Sequence, residues 1–158
     1  MLIAWMRAAG NGMAVALIYC GKLGSSLEWR QLMLTLSAIL FAIAALGGLT
    51  LAVMHFRAGG KTLPPTSLAM LHGTLAAVAV IFLIVGIAAM NGFSAGFSSL
   101  AVVALVLFVL AALGGAYMFF GKHLRGQMLP SPVVVIHGLA AGAGFVLLLV
   151  YLFARTST

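Results

Sequence analysis

Ala44-Ala45-Leu46-Gly47-Gly48 leads to His55, then to a basic turn ending in Pro64-Pro65, then to Leu71-His72-Gly73. Ala111-Ala112-Leu113-Gly114-Gly115 leads in the same order to His123, to a basic turn with Pro130-Ser131-Pro132, and to Ile136-His137-Gly138. The stretch occurs twice, and its two copies hold all 4 histidines of the 158-residue chain. Each copy is apolar helix, short turn, apolar helix. Two such hairpins in the same orientation pack about a pseudo-twofold axis along the membrane normal, as parallel repeats do.

Composition fixes the solvent. Apolar residues make up 65% of the chain and charged residues 6%, where a soluble domain carries about a quarter charged. Apolar runs long enough to cross a bilayer, about 18 residues or more, recur. Turns between them are too short to fold separately. The expected fold is therefore an all-α membrane protein. It is a four-transmembrane-helix up-down bundle of two repeated hairpins, with an N-terminal interfacial or short inserted segment. The spans are expected at about 32–56, 67–90, 98–121 and 132–154, within a membrane domain covering 25–158.

Residues 1–24 read differently. Arg7, Gly10, Asn11 and Gly12 interrupt them, and the apolar core Met13–Cys20 is too short to span unaided. No small-x-small cleavage site follows it, so a helix lying at the interface, or a short inserted segment, is expected. Ser25-Ser26-Leu27-Glu28 reads as a capping box that starts the first span. Ser131-Pro132 reads as the start of the fourth, with serine as cap. Trp29 and Tyr151 are expected to share an outer aromatic belt.

Net charge is +7, with Glu28 the only acid. The basic residues are scattered singly at the ends of apolar runs, where they reach toward lipid headgroups. That placement excludes nucleic acid as the partner. Cys20 is the single cysteine, so no intramolecular disulfide forms. No Asp or Glu lies within a span, which argues against a carboxylate proton relay, a carboxylate-bridged metal pair and a cation-coupled transporter. No nucleophile–base arrangement, nucleotide loop or CxxC motif is present.

The histidines remain as the candidate chemistry. His72 and His137 each lie six residues into their helices, about 9 Å from the helix start. An imidazole at that depth is costly unless partnered, so it faces the bundle interior. Imidazole is the usual axial ligand of b-type haem, held between facing helices. His72 with His137 is the first candidate pair; His55 with His123 is a second, nearer the surface. Arg57 and Arg125, with Lys61 and Lys122, stand where they could neutralise haem propionates or serve only as cytoplasmic charge. Gly47, Gly48, Gly114, Gly115 and the Gly138-x-x-x-Gly142 pair read as close helix packing, or as a face for a flat macrocycle. Met54, Met70, Met118 and Met128 near the same end make copper(I) a competing cofactor.

Four spans with intramembrane histidines, mid-helix glycines and basic turns resemble the small membrane-embedded b-type cytochromes over Leu32 to Ala154. The resemblance implies bis-histidine ligation by His72 with His137, and a second haem between His55 and His123 if there are two. It further implies electron transfer between quinone or quinol and a partner redox protein in a larger membrane complex. Two-haem members often place their haems toward opposite faces, whereas all four histidines here lie toward one face. That favours a single haem b. The alternatives are a cofactor-free accessory subunit and a copper-handling protein. The basic turns place the histidine end in the cytoplasm, with a bacterial inner membrane as the expected location.

Overall fold

No proline precedes Pro64, so nothing in the first part of the chain removes an amide from a growing helix. Extending a helix adds one hydrogen bond per residue fixed, whereas starting a new one is costly. A computed structural model describes residues 2–88 and 98–156, with side chains for 28–88 and 100–154. In it, α1 runs unbroken over Leu2–Arg57. The helix start expected at Ser25–Glu28 is therefore absent, and the boundary drawn at residue 24 falls inside a continuous helix. Four glycines at 10, 12, 21 and 24 cost about 1 kcal/mol each in a helix but do not end it. The side chains expected to place 1–24 at the interface, and the capping serines, lie outside the described residues.

Helix α2 covers Thr66–Ala88, α3 covers Ser98–Ala116 and α4 covers Ser131–Thr156. No strand occurs among the described residues. The four apolar stretches long enough to span are Glu28–Arg57, Thr66–Ala88, Leu100–Arg125 and Ser131–Ala154. At 1.5 Å per residue each exceeds the roughly 30 Å hydrocarbon core. The turn between α2 and α3 lies outside the described residues.

α1 packs along α2 and α3 along α4, while α1 with α4 and α2 with α3 close the ring. Helices related by the repeat meet only at the centre. Phe41 of α1 stacks on Phe108 of α3, with centroids 3.6 Å apart and planes at 6°. These two are 67 residues apart, the same offset as Ala44 from Ala111. His72 of α2 meets His137 of α4 edge-on, with centroids 6.1 Å apart. Both pairs sit where the pseudo-twofold axis must pass. Below them lies an apolar core of Leu34, Leu83, Ile87, Ala101, Leu148 and Tyr151.

The two hairpins are alike without being identical. Gly86 makes room for Leu34, whose Cδ2 would lie 2.7 Å from an added Cβ. The equivalent positions in the second hairpin are Tyr151 and Ala101, with the sizes exchanged. Tyr151 is therefore buried, at 2% exposure, and does not join Trp29 (55% exposed) in an aromatic belt. Gly138 and Gly142 have no neighbour within 4 Å of an added Cβ, so the expected packing pair faces away from the bundle. Gly144 makes the close approach, where an added Cβ would lie 3.2 Å from the Ala104 carbonyl oxygen. Ser37 adds an interhelical bond by donating Oγ–H to the Ala79 carbonyl at 2.9 Å.

One further difference appears at the end of α3. The offset between copies grows from 67 at Gly48 and Gly115 to 68 at His55 and His123. The second copy holds one extra residue there. It is absorbed by a π-helical turn over Tyr117–Lys122, in which the His123 amide donates to Met118 O as well as to Phe119 O. A short 3₁₀ turn, His123–Arg125, follows. The expected α-helical end of the third span is thus a π turn, which spends the extra residue without rotating His123 off the inner face.

The Phe41–Phe108 stack yields a test. Alanine at either position lowers stability, and the double variant loses less than the sum of the singles. The difference is about 1 kcal/mol, because both singles remove one shared contact. Denaturation of the purified protein in detergent measures it; strictly additive losses would contradict the stack.

Candidate functional site

An α-helical carbonyl already accepts one bond from the amide four residues on, but retains a second lone pair. Whether another group can reach it depends on the side chain at that fourth residue. After Ala44 the fourth residue is Gly48, and after Ala111 it is Gly115. With no Cβ in the way, an imidazole from the neighbouring helix reaches each carbonyl. His72 Nδ1–H donates to Ala44 O at 2.8 Å, and His137 Nδ1–H donates to Ala111 O at 2.7 Å. An added Cβ on Gly48 would sit 2.8 Å from His72 Cε1, and one on Gly115 would sit 3.2 Å from His137 Cε1. The glycine pairs thus serve neither bare helix packing nor a macrocycle face. They seat the histidine of their own hairpin.

The bond to a carbonyl also sets the tautomer. Carbonyl oxygen only accepts, so the proton of each neutral ring is on Nδ1 and Nε2 presents a lone pair. Among the described residues, Nε2 of neither ring has a hydrogen-bond partner. α2 begins at Thr66 and α4 at Ser131, so both histidines are six residues in, at the expected equal depth. The rings are half-buried, 6.1 Å apart between centroids and inclined at 79°. An imidazole nitrogen sits about 2 Å from a bound first-row metal, so two rings sharing one in line have centres about 6 Å apart. The 6.1 Å between ring centres matches that span, and Nε2 of each ring is the nitrogen left to hold a haem iron.

His55 and His123 are placed otherwise. They do not pair with each other. His55 Nε2 shares a hydrogen bond with Ser131 Oγ at 3.0 Å, and His123 Nε2 shares one with Thr66 Oγ1 at 3.0 Å. Each bond joins the two hairpins. Both rings are buried, at 2% and 8% exposure. His123 stacks on Phe119, with centroids 5.6 Å apart, while His55 Nδ1 is buried with no partner. Sequence reading assigned the Ser131 hydroxyl to capping α4. Instead the Pro130 carbonyl takes the first amides, Val133 N–H at 2.9 Å and Val134 N–H at 3.2 Å. Pro65 does the same for α2, accepting from Ala69 N–H at 3.1 Å. Both hydroxyls are thereby left for the histidines.

Arg57 and Arg125 are exposed at the same end, as is Lys61, while Lys122 Nζ donates to Gln127 Oε1 at 3.1 Å. Of the methionines in the copper reading, Met54, Met70 and Met128 are 40%, 56% and 52% exposed, and Met118 is half-buried. No cluster of three or more His, Cys, Asp or Glu side chains suited to a metal ion occurs among the described residues. No protein-family model matches the chain, and no curated protein or solved structure does either.

The carbonyl–imidazole bond is testable at its glycine. Gly48→Ala pushes His72 off Ala44 O and costs about 1–3 kcal/mol as overpacking, whereas Gly115→Ala costs less because its contact is looser. Removing the ring as well, in Gly48→Ala with His72→Ala, recovers part of that loss. Thermal unfolding in detergent reads all three; an alanine at 48 that changes nothing would contradict the seat.

Proposed function

We propose that the chain is a haem b-binding integral membrane subunit that transfers electrons, with His72 and His137 as the axial ligands. The observation that carries this reading is the matched pair of imidazoles, each locked through Nδ1–H to a backbone carbonyl with its Nε2 lone pair unengaged. Such outer bonds fix ring orientation and raise the basicity of the ligating nitrogen. When bound, haem supplies a one-electron couple. The protein's own contributions are orientation, through Ala44 O and Ala111 O, and exclusion of water, through the Phe41–Phe108 stack and the apolar core beside it. Arg57 and Arg125 offer charge for propionates at the histidine end. Quinone or quinol, and a larger dehydrogenase or oxidase, are the redox partners that fit a chain with almost no aqueous surface.

The competing reading is a cofactor-free accessory subunit. What favours it is that every histidine already has an interhelical hydrogen bond, so each earns a place by packing alone. An oxidised-minus-reduced absorption spectrum of the purified protein decides between them. Sharp haem bands that vanish in both His72→Ala and His137→Ala are expected; a featureless spectrum sinks the haem assignment.

For location we propose a bacterial inner membrane with the histidine end in the cytoplasm, on the strength of Arg57, Lys61, Lys122 and Arg125 gathered there. Single cysteines placed at Gly59 and Gln127 in a Cys20→Ser background should resist an impermeant thiol reagent in whole cells and react in inverted vesicles. Labelling in whole cells would reverse the assignment.

A further inference from the structure

We infer that His55 and His123 are positioning residues, each holding the start of the helix that carries the other hairpin's ligand. The inference rests on the proposed ligation by His72 and His137. His55 lies on α1, yet its partner Ser131 is the first residue of α4, six residues before His137. His123 follows α3, yet its partner Thr66 is the first residue of α2, six residues before His72. Six residues of helix are a rigid strut of about 9 Å. Fixing one end of the strut fixes the depth of the imidazole at the other.

Three observations make this pair clasps, where the sequence suggested second ligands. First, Nε2 of each ring, the nitrogen left bare in the inner pair, is taken by a hydroxyl at 3.0 Å. Second, the backbone of each histidine is held by the turn that follows it. Gly60 N–H donates to His55 O at 2.9 Å and Gly126 N–H donates to His123 O at 3.0 Å. Both glycines have positive φ, +71° and +65°, which a side chain would strain. Gly60 also lies against the bond itself, since an added Cβ would be in van der Waals contact with His55 Cε1 at 3.5 Å and Ser131 Oγ at 3.6 Å. Third, the second copy reaches the same bond through a different backbone. Its extra residue before His123 is taken up by the π turn at Tyr117–Lys122, and His123 still meets the first hydroxyl of α2.

The consequence is crossed. Each hairpin seats its own ligand sideways, on a glycine and a carbonyl, but takes the vertical position of that ligand from the other hairpin. Neither inner imidazole is fully placed by one hairpin alone.

Hydrogen exchange on the full chain in detergent tests this without reference to any cofactor. His55→Ala should speed exchange at amides 133–137 of α4 and leave the start of α2 unchanged. His123→Ala should do the reverse, at 67–72. Each effect is roughly three- to tenfold, the range for one interhelical bond in a membrane protein. Should an alanine variant fail to fold, Ser131→Ala and Thr66→Ala remove the same bonds from the partner side. The second readout is haem. Alanine at 55 or 123 weakens haem binding about tenfold, as loss of an outer positioning group does. His55→Gln and His123→Gln, which keep a hydrogen-bonding nitrogen but supply no imidazole, restore both exchange and haem. Glutamine variants that lose haem as completely as His72→Gln would make the outer pair ligands and overturn the inference. So would exchange changes confined to the mutated hairpin. A chain that shows the crossed exchange pattern but takes up no haem defeats the haem reading and leaves the clasps standing.

Discussion

A polar ring in hydrocarbon must find its partners inside the protein, and much of the histidine end of this bundle is arranged around that requirement. At the depth expected for His72 and His137 in a bilayer, the acceptors within reach are helix carbonyls. An ordinary helix shields those carbonyls with the side chain one turn on. Glycine at 48 and 115 removes the shield, which brings α1 and α2 together at one point and α3 and α4 at the other. The choice of glycine is thus dictated by an imidazole on the neighbouring helix. The tautomer, the ring orientation and the bare Nε2 follow from that one bond.

The pseudo-twofold relation then multiplies the effect. An axis through a four-helix bundle needs contacts between the diagonal helices, which otherwise lie too far apart to touch. Here α1 and α3 meet through two phenyl rings, and α2 and α4 through two imidazoles. The phenyl pair stacks nearly flat at 6°, while the imidazole pair is crossed at 79°. The difference has a physical source. Phenyl rings are free to settle against each other, but each imidazole is held by its own carbonyl and cannot rotate toward its mate. The outer histidines use the same symmetry in another way, by reaching across to hydroxyls of the opposite hairpin.

Much of this was legible from the sequence, and the limits of legibility are instructive. Apolar runs gave the four spans, and the duplication gave the hairpin pairing and the equal depth of His72 and His137, since these depend on composition and rise per residue alone. The role of Gly48 and Gly115 was misread as packing or a macrocycle face because a glycine names a gap without naming what fills it. A spacing of four between Ala44 and Gly48, set against a histidine at fixed depth on the next helix, was the available signal. Gly138 and Gly142 looked like a packing motif, but a GxxxG spacing says nothing about which face it occupies. The bonds from His55 to Ser131 and from His123 to Thr66 join residues 76 and 57 apart, and no local pattern encodes them. The π turn did have a trace, in the single residue by which the two copies differ between glycine pair and histidine.

The placement of these contacts along the axis limits what the proposed centre can do. Proceeding inward from the turns come the two histidine–hydroxyl clasps, then the inner imidazoles, then the Phe41–Phe108 stack one helical turn beyond Ala44 and Ala111. Past the stack, Leu34, Leu83, Leu148 and Tyr151 fill the interior with exposures of 0–2%. A group held between His72 and His137 would be close to one membrane face and separated from the other by a packed apolar plug. Exchange of electrons with a partner would then be confined to the histidine-bearing side, unlike an arrangement with haems stacked across the bilayer. The same plug provides the low dielectric that penalises a change of net charge at the site. Among the described residues, Arg57, Lys61, Lys122 and Arg125 are the formal charges at that end, and they would favour whichever redox state of a group held there carries more negative charge.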